Sequence, residues 1–167
     1  MVEIRHRRIF IDAVVLQPGG GDPLAIVERA IRVMLRRAQR NGMYAIRAIM
    51  LDTDKLGLAP ERDARIDPLA RRYDLHLIWQ EPCHEGLLLR HFDGCADLRP
   101  SSTERALHEL ARRWPDYRKG IPAVRLAERF DEAAVLRAAL GNEALTCFLA
   151  EIGFAEDGSG RRRPFSR

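Results

Sequence analysis

The amino-acid sequence predicts an α/β fold: a small, mainly parallel sheet with helices on both faces, followed by a helical C-terminal part. Three observations carry this reading. Short runs rich in β-branched and aromatic residues alternate with stretches whose apolar residues recur every three or four positions, the alternation that builds parallel sheets. The breaks between them fall at Pro, Gly and Asp clusters, the usual punctuation of strand and helix ends. After Pro82 the strand-like runs stop and only helical patterns follow.

The first strand is expected over Arg8 to Leu16 (RIFIDAVVL), ending at Gln17-Pro18-Gly19-Gly20-Gly21. Asp22 then reads as a helix N-cap with Pro23 at the first helical position, where its missing N–H costs nothing. Val27, Ala30, Ile31, Met34, Leu35 and Ala38 form one apolar stripe, with most of the arginines of this helix off it, and Asn41-Gly42 stops it. Tyr44 to Leu51 is the second strand, running into Asp52-Thr53-Asp54. A loop with Gly57 and Pro60 leads to a short helix ending near Arg72, and Leu75 to Trp79 is the third strand. This βαβαβ core spans about residues 8–80, with right-handed crossovers. Helices are expected over Cys83 to Phe92, from Ser102 or Thr103 to Trp114, and around Val124 to Phe130, Asp131 to Leu140 and Glu143 to Ile152. One domain over residues 1–156 accommodates all of this, and residues 157–167 read as a disordered basic tail.

A chain of 167 residues suits one sizeable core, and 46% hydrophobic with 31% charged residues is an ordinary globular composition. No apolar run reaches the ~18 residues of a membrane span, and no secretory signal pattern opens the chain. Cys83, Cys95 and Cys147, odd in number and irregularly spaced, argue against a disulfide framework and for a reducing compartment, the cytoplasm. The net charge of +4 rests on arginine, whose planar fork suits phosphate, so a polyanionic partner fits.

The chemistry-bearing residues gather after the second and third strands. Asp52 and Asp54 lie two apart at a strand's carboxyl end, where ligand sites of open α/β sheets lie, and a period of two projects both to one side. Paired carboxylates repel unless a proton or cation lies between them, and Mg²⁺ commonly takes one or two carboxylates plus phosphate oxygens. Asp is equally an ordinary residue at the start of a loop. Glu81 and Glu85 flank Pro82 past the adjacent strand and are candidates for a third acid. Their bland readings are a solvated loop charge and a first-turn helix carboxylate. Cys83, His84, His91 and Cys95 are zinc-ligand types, but the Leu87–Leu89 run makes this helix a core element. His91 is either a titrating active-site group or a helix C-terminal histidine on its own carbonyls. Tyr117, Lys119, Arg112 and Arg113 form a basic turn able to grip a phosphate backbone or simply to be solvated. Arg161-Arg162-Arg163 adds salt-sensitive attraction to polyanions, and Gly19–Gly21 before a helix lacks the Gly-Lys-Ser/Thr ending of a P-loop.

Two segments resemble the RloB-like family. Val14 through Asp54 is similar to its strand, Gly-Asp-Pro turn, long helix and strand ending in Asp-x-Asp. Glu81-Pro82-Cys83-His84-Glu85-Gly86-Leu87-Leu88-Leu89-Arg90-His91-Phe92 resembles its Asn-Pro-Cys-Phe-Glu-x-Trp-Leu-Leu-Leu-His-Phe signature, and Tyr117 and Lys119 fit its Tyr-x-Lys element. Glu81 and His84 replace that signature's Asn and Phe, and Gly86 stands where it has Trp. The family's opening strand and Glu-Gly-x-x-Thr-Glu motif do not precede this part, and Glu3 has no Gly after it to take that role. The resemblance implies a Toprim-related, Rossmann-like core and a place beside prokaryotic restriction and abortive-infection systems. It implies Mg²⁺- or Mn²⁺-dependent nuclease or other nucleic-acid chemistry carried by Asp52 and Asp54, with Glu85 as a third metal-holding acid and His91 as a catalytic candidate. Two alternatives stand beside it: a non-catalytic binding or assembly module working with a partner protein of a defence operon, and a small-molecule phosphotransferase or phosphohydrolase using the same Asp pair. An unpaired sheet edge left by a missing first strand would favour a homodimer.

Overall fold

The computed structural model describes residues 2–4, 7–16 and 21–154. β1 (Val2–Ile4) and β2 (Arg7–Ile9) pair antiparallel. The chain from Phe10 to Leu16 then runs without strand pairing. α1 (Pro23–Asn41) leads to β3 (Ala48–Asp52), α2 (Pro60–Asp63), α3 (Ile66–Arg72) and β4 (His76–Gln80). α4 (His84–Arg90), α5 (Thr103–Arg113), α6 (Ala123–Arg129), α7 (Glu132–Ala139) and α8 (Glu143–Glu151) complete the order. The architecture is mixed α/β, with β3 and β4 forming a two-stranded parallel sheet in the register Ala48↔His76 to Asp52↔Gln80.

The expected first strand, Arg8–Leu16, is corrected. Only its first residues pair, and they pair with β1 rather than with the parallel sheet. Phe10 and Val15, 75% and 81% exposed, stand in solvent where a buried strand was expected, so the parallel core is βαβ rather than βαβαβ. Side chains hold the segment in place: Asp12 accepts from Arg37 at 2.5 Å and from the Tyr44 hydroxyl, and Leu16 packs against the first core cluster. The single short helix expected before β4 is two, α2 and α3. The glycines expected at 19 and 20 and the basic tail fall outside the described residues.

The helix boundaries follow from caps that the sequence spells out. Asp22 accepts from the Ala25 amide at 2.8 Å, and Ser102, Asp131 and Asn142 do the same for Arg105, Ala134 and Leu145. Gly42, at φ 85°, closes α1 with its amide on the Ala38 carbonyl.

Packing covers one face of the sheet along both strands and the other at β4, where Met50 of β3 stays 47% exposed. On one, Leu24, Val27 and Ile31 of α1 meet Ile49 and Leu51 of β3 and Ile66 and Ala70 of α3. On the other, Ile78 of β4 packs with Leu87 of α4 and with α7 and α8 through Ala138, Ala139, Leu145 and Leu149. α4 is shared: Leu87 serves that layer while Leu88 and Leu89 enter a third cluster with Ala106, Leu110, Trp114 and Tyr117. Burial from two sides fixes α4 in place. Among the described residues no helix is long and apolar enough to cross a membrane.

Candidate functional site

β3 and β4 end side by side, and the loops that follow them are tied together. The Thr53 amide donates to the carbonyls of Gln80 and Pro82, both at 3.1 Å, and the Asp54 amide donates to Pro82 at 3.1 Å. The Glu81–Pro82 peptide bond is cis. Gly86 lies against this turn so closely that a Cβ would sit 2.4 Å from the Glu81 carbonyl oxygen and 2.8 Å from Pro82 Cδ. No side chain fits there, and the first turn of α4 is thereby brought against the Asp pair.

Asp52 is the last residue of β3, and its carboxylate accepts from the His84 backbone amide of α4. Asp54 lies two residues past the strand, in the turn, and remains near enough to repel it. The Asp52 pKa is pushed up to about 6, by partial burial of the carboxylate first and then by the negative charges of Asp54 and Glu85. The residue as a whole stays exposed at the sheet end, so part of that repulsion is screened.

Glu85 is 4% exposed and fully engaged. The Tyr117 hydroxyl donates to Oε1 at 3.2 Å, and Lys119 Nζ lies 3.6 Å from the same oxygen. Burial alone would raise its pKa. The Cys83 thiol, its own amide, Lys119 and Tyr117 outweigh burial and hold it below the usual carboxylate value, so Glu85 is an anion inside the protein. The same anion, with burial ahead of it, pushes the Tyr117 phenol upward. Burial likewise raises the Cys83 thiol, which acts as a hydrogen-bond donor and not as a thiolate.

The structure brings together Asp52, Asp54, Glu85, Tyr117 and Lys119 and leaves the other candidates elsewhere. Glu81 is turned to Arg99, at 3.7 Å. His84 accepts on Nδ1 from the Gln80 amide at 3.0 Å and is kept neutral by burial. His91 caps α4, its Nδ1 on the Leu87 carbonyl at 3.0 Å and its ring 4.7 Å from Phe130. That is the structural role of a helix C-terminal histidine. It lines a cleft of about 420 Å³ with Arg129, Phe130 and Arg137, and no contact joins it to the carboxylates. Arg112 and Arg113 pair with Glu109 at 3.5 and 2.5 Å, and Tyr117 is buried. The expected basic grip is therefore divided, with only the Lys119 ammonium both exposed and beside the acids. Cys83 and Cys95 are buried core residues, and among the described residues no three His, Cys, Asp or Glu side chains are grouped to hold a metal ion.

Two features were not foreseen from residue types. The partnership of Tyr117 and Lys119 with Glu85 joins positions more than thirty apart, and only the Tyr-x-Lys spacing pointed toward it. The close approach at Gly86 had no signal beyond the glycine itself. Comparison of the chain with protein-family models, with curated proteins and with solved structures gives no match.

Proposed function

We propose that this protein is a Toprim-like, divalent-metal-dependent nuclease or nucleic-acid-processing protein working at Asp52 and Asp54. The observation that carries the reading is the state of Asp52 at the carboxyl end of a parallel strand pair, where its partial burial and the charges of Asp54 and Glu85 push its pKa up to about 6. A hard cation relieves that repulsion, and the all-oxygen donor set suits Mg²⁺ or Mn²⁺. Asp52 and Asp54 would hold the ion, which when bound supplies charge neutralisation at a phosphoryl group and a more acidic water.

The remaining residues have roles of their own. Glu85, occupied by Tyr117 and Lys119, acts as a buried negative charge that raises the field at the Asp pair. Lys119, 66% exposed at its side chain, has its ammonium free to meet a substrate phosphate while anchored to Glu85. Thr53 and Asp54 are fixed by their amides on Pro82, which keeps the pair pre-organised. The Pro82-Cys83-x-Glu85 resemblance adds the prokaryotic-defence context and a partner protein from the same operon to the proposal.

Titration calorimetry with Mg²⁺ and Mn²⁺ tests the reading on the wild type and on Asp52→Asn/Asp54→Asn. The expected result is metal binding lost in the double variant, with metal-dependent cleavage of DNA or RNA lost in parallel. Absence of metal binding in both proteins would leave a non-catalytic binding or assembly module of the same ancestry as the better account. Metal binding with hydrolysis of small phosphate esters and none of oligonucleotides would favour the small-molecule phosphohydrolase.

A further inference from the structure

From Arg29 to Asn41 helix α1 carries five arginines and no acidic residue. Its buried residues, Leu24, Val27 and Ile31, define the inward face. Arg32, Arg36 and Arg40 follow one another at i+4 steps, so they form a ridge on the opposite, outward face and all three are exposed. Arg37 falls to one side, where it pairs with Asp12.

The ridge has no carboxylate within ion-pairing distance among the described residues, whereas several other arginines do. Arg47, Arg62, Arg99, Arg112, Arg125 and Arg137 each lie within 4 Å of an Asp or Glu. Arg32, Arg36 and Arg40 make no such pair among the described residues, and their one polar contact is Arg36 Nε on the Arg32 carbonyl at 3.4 Å. Like charges at i,i+4 destabilise a helix. A solvated helix face ordinarily avoids this by interleaving Glu at the same steps, as Glu28 does one step before Arg32, but the two following steps, Arg32 to Arg36 and Arg36 to Arg40, carry none. Here the repulsion is left in place, and a polyanion would relieve it.

We propose that the Arg32–Arg36–Arg40 ridge binds the phosphate backbone of a nucleic-acid strand. Four helical residues rise about 6 Å, so the guanidinium groups repeat at an interval of the order of successive phosphates along one strand. The fork of arginine fits those oxygens bidentately. A membrane surface fits less well, because α1 spends its apolar face on the protein core and offers no aromatic or leucine face to lipid. α1 begins at Asp22, tied to Arg62 of α2 just after β3, so a strand laid along the ridge is directed toward the sheet end where Asp52 lies.

The inference takes its partner class from the function proposed above but needs no metal. Fluorescence anisotropy in EDTA, with labelled single-stranded DNA and RNA oligonucleotides over a salt series, tests it on three proteins. The wild type is expected to bind with steep salt dependence. Arg32→Gln/Arg36→Gln/Arg40→Gln, with all three changes on the surface, is expected to bind about tenfold to a hundredfold more weakly. Its log–log salt slope should be shallower by about 2, three phosphate contacts at about 0.7 each. Arg125→Gln, at an arginine already paired with Glu128, should bind like the wild type, and because every titration is run in EDTA, failure of the metal reading and failure of this one are separable. Unfolding by circular dichroism confirms that the triple variant is folded. The inference is overturned if the triple variant binds as the wild type does, if the wild type binds neither oligonucleotide at low salt, or if it binds anionic phosphatidylglycerol vesicles and not oligonucleotides.

Discussion

Glu85 shapes the site through its charge more than through contact. Its carboxylate is buried, held by Tyr117 at 3.2 Å, and kept ionised by Cys83, Lys119 and Tyr117 against the cost of burial. The proton affinity of Asp52 is raised first by its own partial burial, then by Asp54 and by this anion. The sign of the consequence follows directly. The Asp52 pKa moves from 3.8 to about 6 on folding, so between those values the native state holds a proton that the unfolded chain has released. Asp52 therefore lowers stability as pH rises from about 4 to about 6, and adds no further change above that. Solvent at the exposed sheet end moderates the effect. Glu85→Gln keeps an acceptor for Tyr117 and removes the charge. The Asp52 carboxyl, followed by ¹³C NMR, should then titrate at lower pH than in the wild type, and metal affinity should weaken with it. An unmoved Asp52 titration would mean that Glu85 is structural only. Sequence alone supplied the residue types here but not their division of labour, because whether a glutamate binds a ligand or is itself held depends on donors brought from Tyr117 and Lys119.

At the level of elements, the helices were legible because their ends are written locally. Asp22-Pro23, Ser102, Asp131 and Asn142 each place an oxygen acceptor where the first-turn amides need one, and the structure uses all four caps. Asp22 carries a second duty that no local pattern reveals. Its carboxylate also takes Arg62 Nη2 at 2.7 Å and Nε at 3.1 Å, fastening α2 to the start of α1. Asp22→Ala should therefore cost about 1–2 kcal/mol, the upper part of the range for lost caps. Asp22→Asn retains the acceptor for the Ala25 amide and weakens only the exposed ion pair, worth about 0–1 kcal/mol, so it should recover most of the loss. Urea unfolding of the three proteins reads the difference. Equal losses in both variants would make the tie to Arg62, and not the cap, the main contribution. Strands were harder to place than helices. A run such as RIFIDAVVL has the composition of a buried strand, yet pairing depends on a neighbouring edge at the right place, which composition does not encode.

For the whole molecule, the consequence is a parallel sheet of two strands whose stability comes from helices packed across one face and against β4 on the other. Two valines distinguish this arrangement from the three-stranded one that composition suggests. Val27 on α1 is 0% exposed within the first core cluster, while Val15 is 81% exposed on the unpaired stretch before it. Val→Thr preserves shape and β-branching and exchanges a methyl for a hydroxyl, so its cost reports burial with little change in volume. At Val27 the hydroxyl enters an apolar environment, a change worth about 1–3 kcal/mol in proteins. At Val15 it meets water, and the change should stay within about 0.5 kcal/mol. Both are read from denaturant midpoints with an unchanged m-value, which confirms that the denatured states are comparable. If Val15→Thr costs as much as Val27→Thr, the Phe10–Leu16 stretch is buried in solution, either as a third strand beside β3 or against a second copy. Sedimentation separates those cases: a monomer places the strand in its own sheet, and a dimer that dissociates in Val15→Thr places it at an interface. A neutral Val15→Thr in a monomer leaves the β3–β4 pair as the entire parallel sheet, with α1 and α3 across one face and α7 and α8 against β4 on the other as its support.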